Sequence, residues 1–271
     1  MALFKLQFKN QWKMLIVWII ACAVTLVLLM AIFPSMQTTG LKEFVMVQAS
    51  ALPENLMKIV NLEDMKKLLE VTGFFAYLFQ YIFMAAAIFA TMLGARCLVL
   101  EQTEGTIEYL YGQPLSRSDI FFGKVAANIT MIALFWLTLF IVSVASLLLF
   151  NGGTEEPIVI LQKLLQVFTY ELLMLVLFFM IGISASVLIN SSAQVAGISM
   201  GVVFGTYILG IVAQIQPNLS FLENLSPVHI ALPGKLLVGG VDLPQIIGSL
   251  LLISLLFILS LTYYKVKDFR I

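Results

Sequence analysis

The chain has 271 residues, 61% of them hydrophobic and 11% charged, with a mean hydropathy of +1.03. A soluble domain carries about a quarter charged residues, so this composition excludes a soluble protein with a large core. Fifteen Lys and Arg balance fifteen Asp and Glu, so net charge points to no partner, and no basic, aromatic-interleaved patch suggests nucleic acid.

Several apolar runs exceed the ~18 residues that mark a membrane span. Six are predicted, at 14–33, 72–99, 120–150, 158–189, 193–215 and 243–264. The fold class is therefore all-α integral membrane, in a single transmembrane domain over 1–271. The second, third and fourth runs are longer than the ~20 residues needed to cross, so those spans tilt or protrude. The first is not a cleaved signal, because its apolar core exceeds the ~7–15 residues of a signal peptide and no small-x-small site follows.

Ahead of that span, MALFKLQFKNQWK places Phe4, Phe8 and Trp12 at every fourth residue, with Lys5, Lys9 and Lys13 one residue later. On a helix this makes an aromatic stripe beside a cationic one. Such a helix lies flat in the membrane interface, aromatics in lipid and lysines on headgroups. A flexible tail with stop-transfer lysines is the plainer alternative. In the loop 34–71, the segment after Pro53 reads as a helix with Leu56, Ile59, Val60 and Leu69 broadly to one side and Glu63 placed to pair with Lys67. It is a lid packed on the bundle or a cargo-facing cap.

Between the second and third spans lies EQTEGTIEYLYGQPLSRSDIFFGK, residues 101–124, the most polar stretch between apolar runs. Glu101, Glu104 and Glu108 suit the start of a short helix, where acids complement the dipole. Ile107, Tyr109, Leu110 and Tyr111 give it a contact surface, and Gly112 and Pro114 stop it. Ser116 is placed to cap the third span, with Asp119 three residues on as a capping-box acid. A short helix across the base of two spans would act as a lever for a soluble partner; the plain alternative is a polar connection that satisfies two helix ends.

Glu171 is the one acid well inside a span, roughly 15 Å deep if the fourth span starts near 160. A charge there is costly, so it should face protein or a wet cavity, or be protonated. Gln162, Gln166 and Tyr170 make a polar stripe beside it at four-residue spacing. The reading is a translocation-path residue or an inter-helix hydrogen bond. In the fifth span, Ala193, Gly197, Gly201 and Gly205 form a small-residue line that lets helices approach closely, within the bundle or at a dimer seam. The segment 216–242, rich in Pro, Gly and Asn, reads as a structured outer loop. His229 there reads as a capping or interface residue.

Orientation follows from lysine and arginine. With the N-terminus inside, the inner segments carry Lys5, Lys9, Lys13, Arg96, Arg117, Lys124, Lys265, Lys267 and Arg270, against Lys42, Lys58, Lys66, Lys67, Lys163 and Lys235 outside. Both termini are therefore expected in the cytoplasm and the chain in the plasma membrane. No phosphate loop, H-E-x-x-H, Ser/His/Asp set or metal-ligand cluster occurs, and Cys22 and Cys97 have no disulfide or metal spacing. Catalysis within the chain is not expected.

The pattern E-x3-G-T-x7-P-x-S-R-x6-K, read from Glu101, Gly105, Thr106, Pro114, Ser116, Arg117 and Lys124, resembles the first cytoplasmic loop of ABC-2 type transporter permeases. The whole chain is similar in outline. The resemblance implies an amphipathic N-terminal helix, six spans, a coupling helix docking into an ATPase subunit, and a broken outer segment between spans five and six that dips into the outer leaflet as two short helices. The sizeable loop at 34–71 departs from the smallest members of that family. The resemblance implies an ATPase-coupling loop formed by Glu101, Glu104, Gly105, Thr106, Pro114, Ser116, Arg117 and Lys124. It also implies two copies of a separate ATPase that carries the ATP and magnesium, a second permease copy as homodimer or heterodimer, and no cofactor in this chain. Export of an amphipathic or hydrophobic cargo, with peptide favoured, is the expected function. A sodium- or proton-exporting permease using Glu171, and a membrane scaffold or sensor without transport, are the rivals.

Overall fold

A computed structural model describes residues 2–38, 43, 47, 65–100, 103, 105, 115–240 and 242–267. Among these residues there is no strand, and six helices are long and apolar enough to cross a membrane. The protein is an all-α, multi-pass membrane protein.

The order is α1 (Ala2–Met30), α2 (Phe33–Met36), a 3-10 turn at Met65–Leu69, α3 (Val71–Arg96), α4 (Arg117–Phe150) and α5 (Pro157–Leu188). After a short turn at Ser192–Gln194 come α6 (Val195–Ile215), a 3-10 segment (Pro217–Leu225), α7 (Pro227–Ile230), α8 (Pro233–Gly239) and α9 (Leu243–Val266). Both described ends lie on one side: a Cβ added at Gly123, near the start of α4, would meet Leu3 at 3.5 Å, and Arg117 bonds the last carbonyls of α9. That side is the terminal face; the loops after α1, α4 and α6 form the far face.

One expectation is corrected here. Residues 2–13 do not form a separate helix lying flat; they are the first turns of one unbroken 29-residue helix. The reason is the face that the lysine and aromatic stripes leave over. Gln7, Gln11, Leu15, Cys22, Leu26 and Met30 are all buried, so one packed stripe runs the length of α1 along α4. Lys5, Lys9, Lys13 and Trp12 stay exposed, and Phe4 stacks on Phe8 with ring centroids 6.3 Å apart.

α3 and α5 run parallel at the centre and are buried along most of their length, small residues letting their backbones close together. They touch most closely near the terminal face. A Cβ on Gly94 would lie 2.2 Å from the Phe179 carbonyl oxygen, and one on Gly182 would lie 2.3 Å from that of Thr91. Only two bare backbones can meet this way. Toward the far face an aromatic cluster fills the space between α3, α4 and α5. Phe168 lies 4.6 Å from Trp136 and 5.0 Å from Phe79, ring to ring, and the Trp136 indole N–H donates to the Phe168 carbonyl at 2.9 Å. α6 and α9 sit outside, and most of their large apolar side chains face outward.

Candidate functional site

The polar stretch after α3 is anchored into the bundle at both ends. At its start, the buried Lys124 ammonium donates to the Cys97 carbonyl at 3.0 Å, and the Leu98 N–H donates to Ser186 Oγ at 2.8 Å. Thr103 Oγ1 accepts from the Ser192 N–H at 2.9 Å, tying the stretch to the α5–α6 connection. Gly105 has φ +69°, the left-handed region that glycine adopts at no steric cost. At its end the capping box is present: Ser116 Oγ accepts from the Asp119 N–H, and the Asp119 carboxylate accepts from the Ser116 N–H, each at 3.1 Å. Glu101, Glu104, Thr106 and Pro114, with the short helix expected around them, lie outside the described residues.

Arg117 and Lys124 are used inside the chain. Arg117 Nη1 donates to the carbonyls of Lys265 at 3.0 Å and Lys267 at 2.8 Å, closing the C-terminus of α9 onto the start of α4. Lys267 in turn donates to the Val187 carbonyl at 2.7 Å, closing α9 onto the end of α5, and partial burial holds its pKa below the ordinary lysine value. The terminal-face ends of α3, α4, α5 and α9 are thus linked through cationic side chains to helix carbonyls.

In the interior, Glu171 is fully buried about 21 Å along α5. Neither carboxyl oxygen has a hydrogen-bond partner among the described residues. The alternative of an inter-helix hydrogen bond is therefore not met. Nor does the polar stripe join it: Gln162 is exposed, Gln166 donates to the Leu236 carbonyl at 2.7 Å, and Tyr170 is half-buried. Consecutive helix positions differ by about 100°, so 162, 166 and 170 share one face and 171 turns away from it toward the core.

A second polar group was not anticipated. Trp18, Phe89 and Phe135 stack in one layer between α1, α3 and α4, with centroids 5.6 and 4.7 Å apart. Seven residues, two turns, nearer the terminal face on each of these helices stand Gln11, Arg96 and Asn128, with Gln7 one turn further on along α1. Gln7, Gln11 and Asn128 are buried. Among the described residues Gln7 Nε2, Gln11 Nε2 and Oε1, Arg96 Nε and both amide atoms of Asn128 have no hydrogen-bond partner; Arg96 Nη1 reaches Met14 Sδ at 3.4 Å. A signal existed: Gln7 and Gln11 precede Leu15 at four-residue spacing, so the buried stripe of α1 begins polar.

On the far face, Gly152 and Gly153 turn the chain with φ +58° and +79°, and Asn151 Oδ1 accepts from the Glu155 N–H at 3.1 Å. This aims the Glu155 carboxylate at the Thr72 N–H (3.1 Å) and the Lys163 ammonium (2.6 Å). Burial alone would raise the Glu155 pKa, but these bonds outweigh it and hold it below the usual value. α7 packs on α6 at Gly210, where a Cβ would lie 2.8 Å from His229 Cβ. His229 is buried at the α6–α7 contact and is not itself the cap: Ser226 caps α7, accepting from the His229 N–H at 3.2 Å, and the His229 ring meets Gln214 and the Lys235 ammonium, with Glu223 at 3.6 Å. Burial, then the Lys235 charge, push its pKa down to about 4 against the opposing pull of Glu223.

The small-residue line of α6 does not serve the chain's own bundle. A Cβ added at Gly197, Gly201 or Gly205 would meet nothing within 4 Å among the described residues. The close approach is made instead by Gly94 and Gly182.

No curated protein matches the chain. The family model described as ABC-2 family transporter protein matches residues 1–269, and the chain accordingly belongs to the ABC-2 transporter family.

Proposed function

We propose that the chain is the permease subunit of an ATP-driven exporter whose hydrolysis is carried out by two copies of a separate ATPase chain, where ATP and magnesium would bind. As an ABC-2 family member it is the membrane component of an ABC transporter, and that family works with an ABC ATPase and in dimeric arrangement. The observation that supports coupling is the double anchoring of the 97–116 stretch. Lys124, Leu98 and Arg117 bond its two ends into α3, α4, α5 and α9. An ATPase pressing on Glu101, Glu104, Gly105, Thr106 and Pro114 would then displace four spans together instead of bending a loop. In this reading the terminal face is cytoplasmic, in keeping with the nine Lys and Arg assigned to that side by sequence, and the membrane is the plasma membrane.

The second permease copy would dock on α6. Its Gly197–Gly201–Gly205 line is unfilled within the chain, and Met200, Phe204 and Ile208 beside it are exposed. The cargo is amphipathic or hydrophobic, a peptide first. Its support is the apolar, aromatic interior around the packed Phe79, Trp136 and Phe168, and among the described residues Glu171 is the one fully buried acid.

A second reading, sodium or proton export, is favoured by Glu171 itself, a fully buried carboxyl without a hydrogen bond. Co-purification with the ATPase, followed by ATP hydrolysis measured with hydrophobic peptides and then with sodium, separates the readings. Stimulation by peptide, with Glu171→Gln near normal, supports peptide export. Stimulation by sodium alone, with a Glu171→Gln variant that assembles yet transports nothing, supports ion export. No ATPase association would leave the scaffold reading.

A further inference from the structure

α1 is the span that the hydrogen-bonded linkages leave out. Those linkages join α3, α4, α5 and α9 at the terminal face. Among the described residues a single side-chain hydrogen bond runs from α1 to another span, Arg96 Nη1 to Met14 Sδ at 3.4 Å. A thioether sulfur is a weak acceptor, so a guanidinium resting on it is poorly satisfied. Better acceptors stand close by. Gln11 lies three residues before Met14, its neighbour on the helix surface, and the meeting of Leu3 with Gly123 sets Asn128 at a height between Gln7 and Gln11. Gln11 Oε1 and Asn128 Oδ1 lack a donor, while Arg96 Nε lacks an acceptor, among the described residues. Gln11 is 3% exposed and Asn128 fully buried, so neither amide meets bulk water. α1 and α3 carry no Asp or Glu, and the acid of α4, Asp119, is held in its capping box at the helix start. No carboxylate of these three helices claims the guanidinium.

A buried donor and a buried acceptor left apart in one layer are costly. Here they stand at the root of the coupling stretch. Arg96 ends α3, and the next residue, Cys97, gives its carbonyl to Lys124 as the first anchor of that stretch. A push on the stretch therefore reaches Arg96 directly. We propose that Arg96 is a positioning residue that engages α1 when the ATPase presses. In the present state α1 is held by packing and by the sulfur contact. Under the push, Arg96 leaves Met14 Sδ and donates to Gln11 Oε1 and Asn128 Oδ1, and α1 and α4 then move with α3 as one body. The distance to cover is about one helical turn, ~5.4 Å, shared between a long side chain and the helix end. This inference rests on the exporter reading.

The test follows the Met14 methyl group by NMR in the full chain labelled with [13C-methyl]methionine and bound to its ATPase in nanodiscs, with Met14→Leu assigning the signal. A non-hydrolysable ATP analogue should shift that signal, because the guanidinium leaves the sulfur. Gln11→Leu and Asn128→Leu should each remove the shift and lower ATP hydrolysis by the complex at least fivefold, with ATPase binding as in the parent. Gln11→Glu, which puts a carboxylate in place of the amide, should draw Arg96 across without nucleotide and show the shifted signal from the start. A layer that only packs the helices predicts otherwise: Gln11→Leu, apolar and of similar size, would behave as the parent. Should Gln11→Glu fail to fold, the two Leu variants decide the matter. A Met14 signal unmoved by nucleotide in a complex that hydrolyses ATP overturns this inference alone. So does a shift that persists, or hydrolysis that stays undiminished, in both Leu variants. A chain that binds no ATPase overturns the exporter reading and this one with it.

Discussion

Replacing Gly94 or Gly182 by alanine tests whether α3 and α5 are held by backbone contact. A Cβ at 94 would lie 2.2 Å from the Phe179 oxygen, and one at 182 would lie 2.3 Å from the Thr91 oxygen, where ordinary contact begins at 3.4 Å. Helix carbonyls bonded within their own helix cannot swing aside, so the pair must separate by roughly 1 Å, the difference between those distances. Overpacking of this kind costs about 1–3 kcal/mol, and the upper half of that range is expected because backbone stands on both sides. The two changes push the same helices in the same direction. The second should therefore cost far less than the first, with a coupling of about 1–2 kcal/mol in the double variant. Cys22 and Cys97 are both buried, so a thiol-reactive fluorophore reports unfolding on heating. Each single variant should lower the midpoint by several degrees, and the double variant by little more than either. Strict additivity, or a neutral single variant, would refute the account of the contact.

Three further outcomes are expected. Asn128→Leu and Gln11→Leu should each stabilise the fold by about 1–2 kcal/mol, read as a higher unfolding midpoint, because they remove buried amides that have no partner among the described residues; a fall in both would mean the amides are satisfied in the membrane. The His229 pKa lies at about 4 in the fold, against the ordinary 6.5 expected when unfolded. Its contribution is complete above pH 6.5 and declines as the pH falls toward 4, by up to about 3 kcal/mol; midpoints measured across that window should drop in the parent chain and stay flat in His229→Gln. A cysteine at Thr154, exposed on the far-face turn, should react with an impermeant thiol reagent in intact cells, and one at Ser118 should not; the reverse pattern inverts the topology.

The six spans and the capping box at Ser116 were legible because each rests on local chemistry, apolar length and a side chain reaching the next turn, whereas the broken segment before α9 was implied only by the family resemblance, its Pro and Gly residues alone reading as a structured outer loop. Partnerships between spans were not. The line Gly197–Gly201–Gly205 and the pair Gly94 and Gly182 are all glycines in apolar helices. Only the register of α3 against α5 decides that the latter pair touches while the former faces outward. Glu171 stood out by type, but its separation from the Gln162–Gln166–Tyr170 stripe depends on which face the bundle covers. The layer at Gln11, Arg96 and Asn128 draws on three helices far apart in sequence, and no single stretch announces it.

The linkages on the two faces answer acid differently. On the terminal face Arg117 and Lys267 bond backbone carbonyls, which take up no proton in the range where proteins survive, so those joints hold as the medium sours. On the far face the Glu155 link to Lys163 loses its charge once the pH falls through the depressed carboxylate value, and the His229 group takes up a proton as the pH falls to about 4. Acidification is thus one-sided in its effect: it slackens the far face and leaves intact the machinery by which a motor would pull. A bilayer with an acidic far compartment would hold this protein in a partly unlatched state with its drive train engaged.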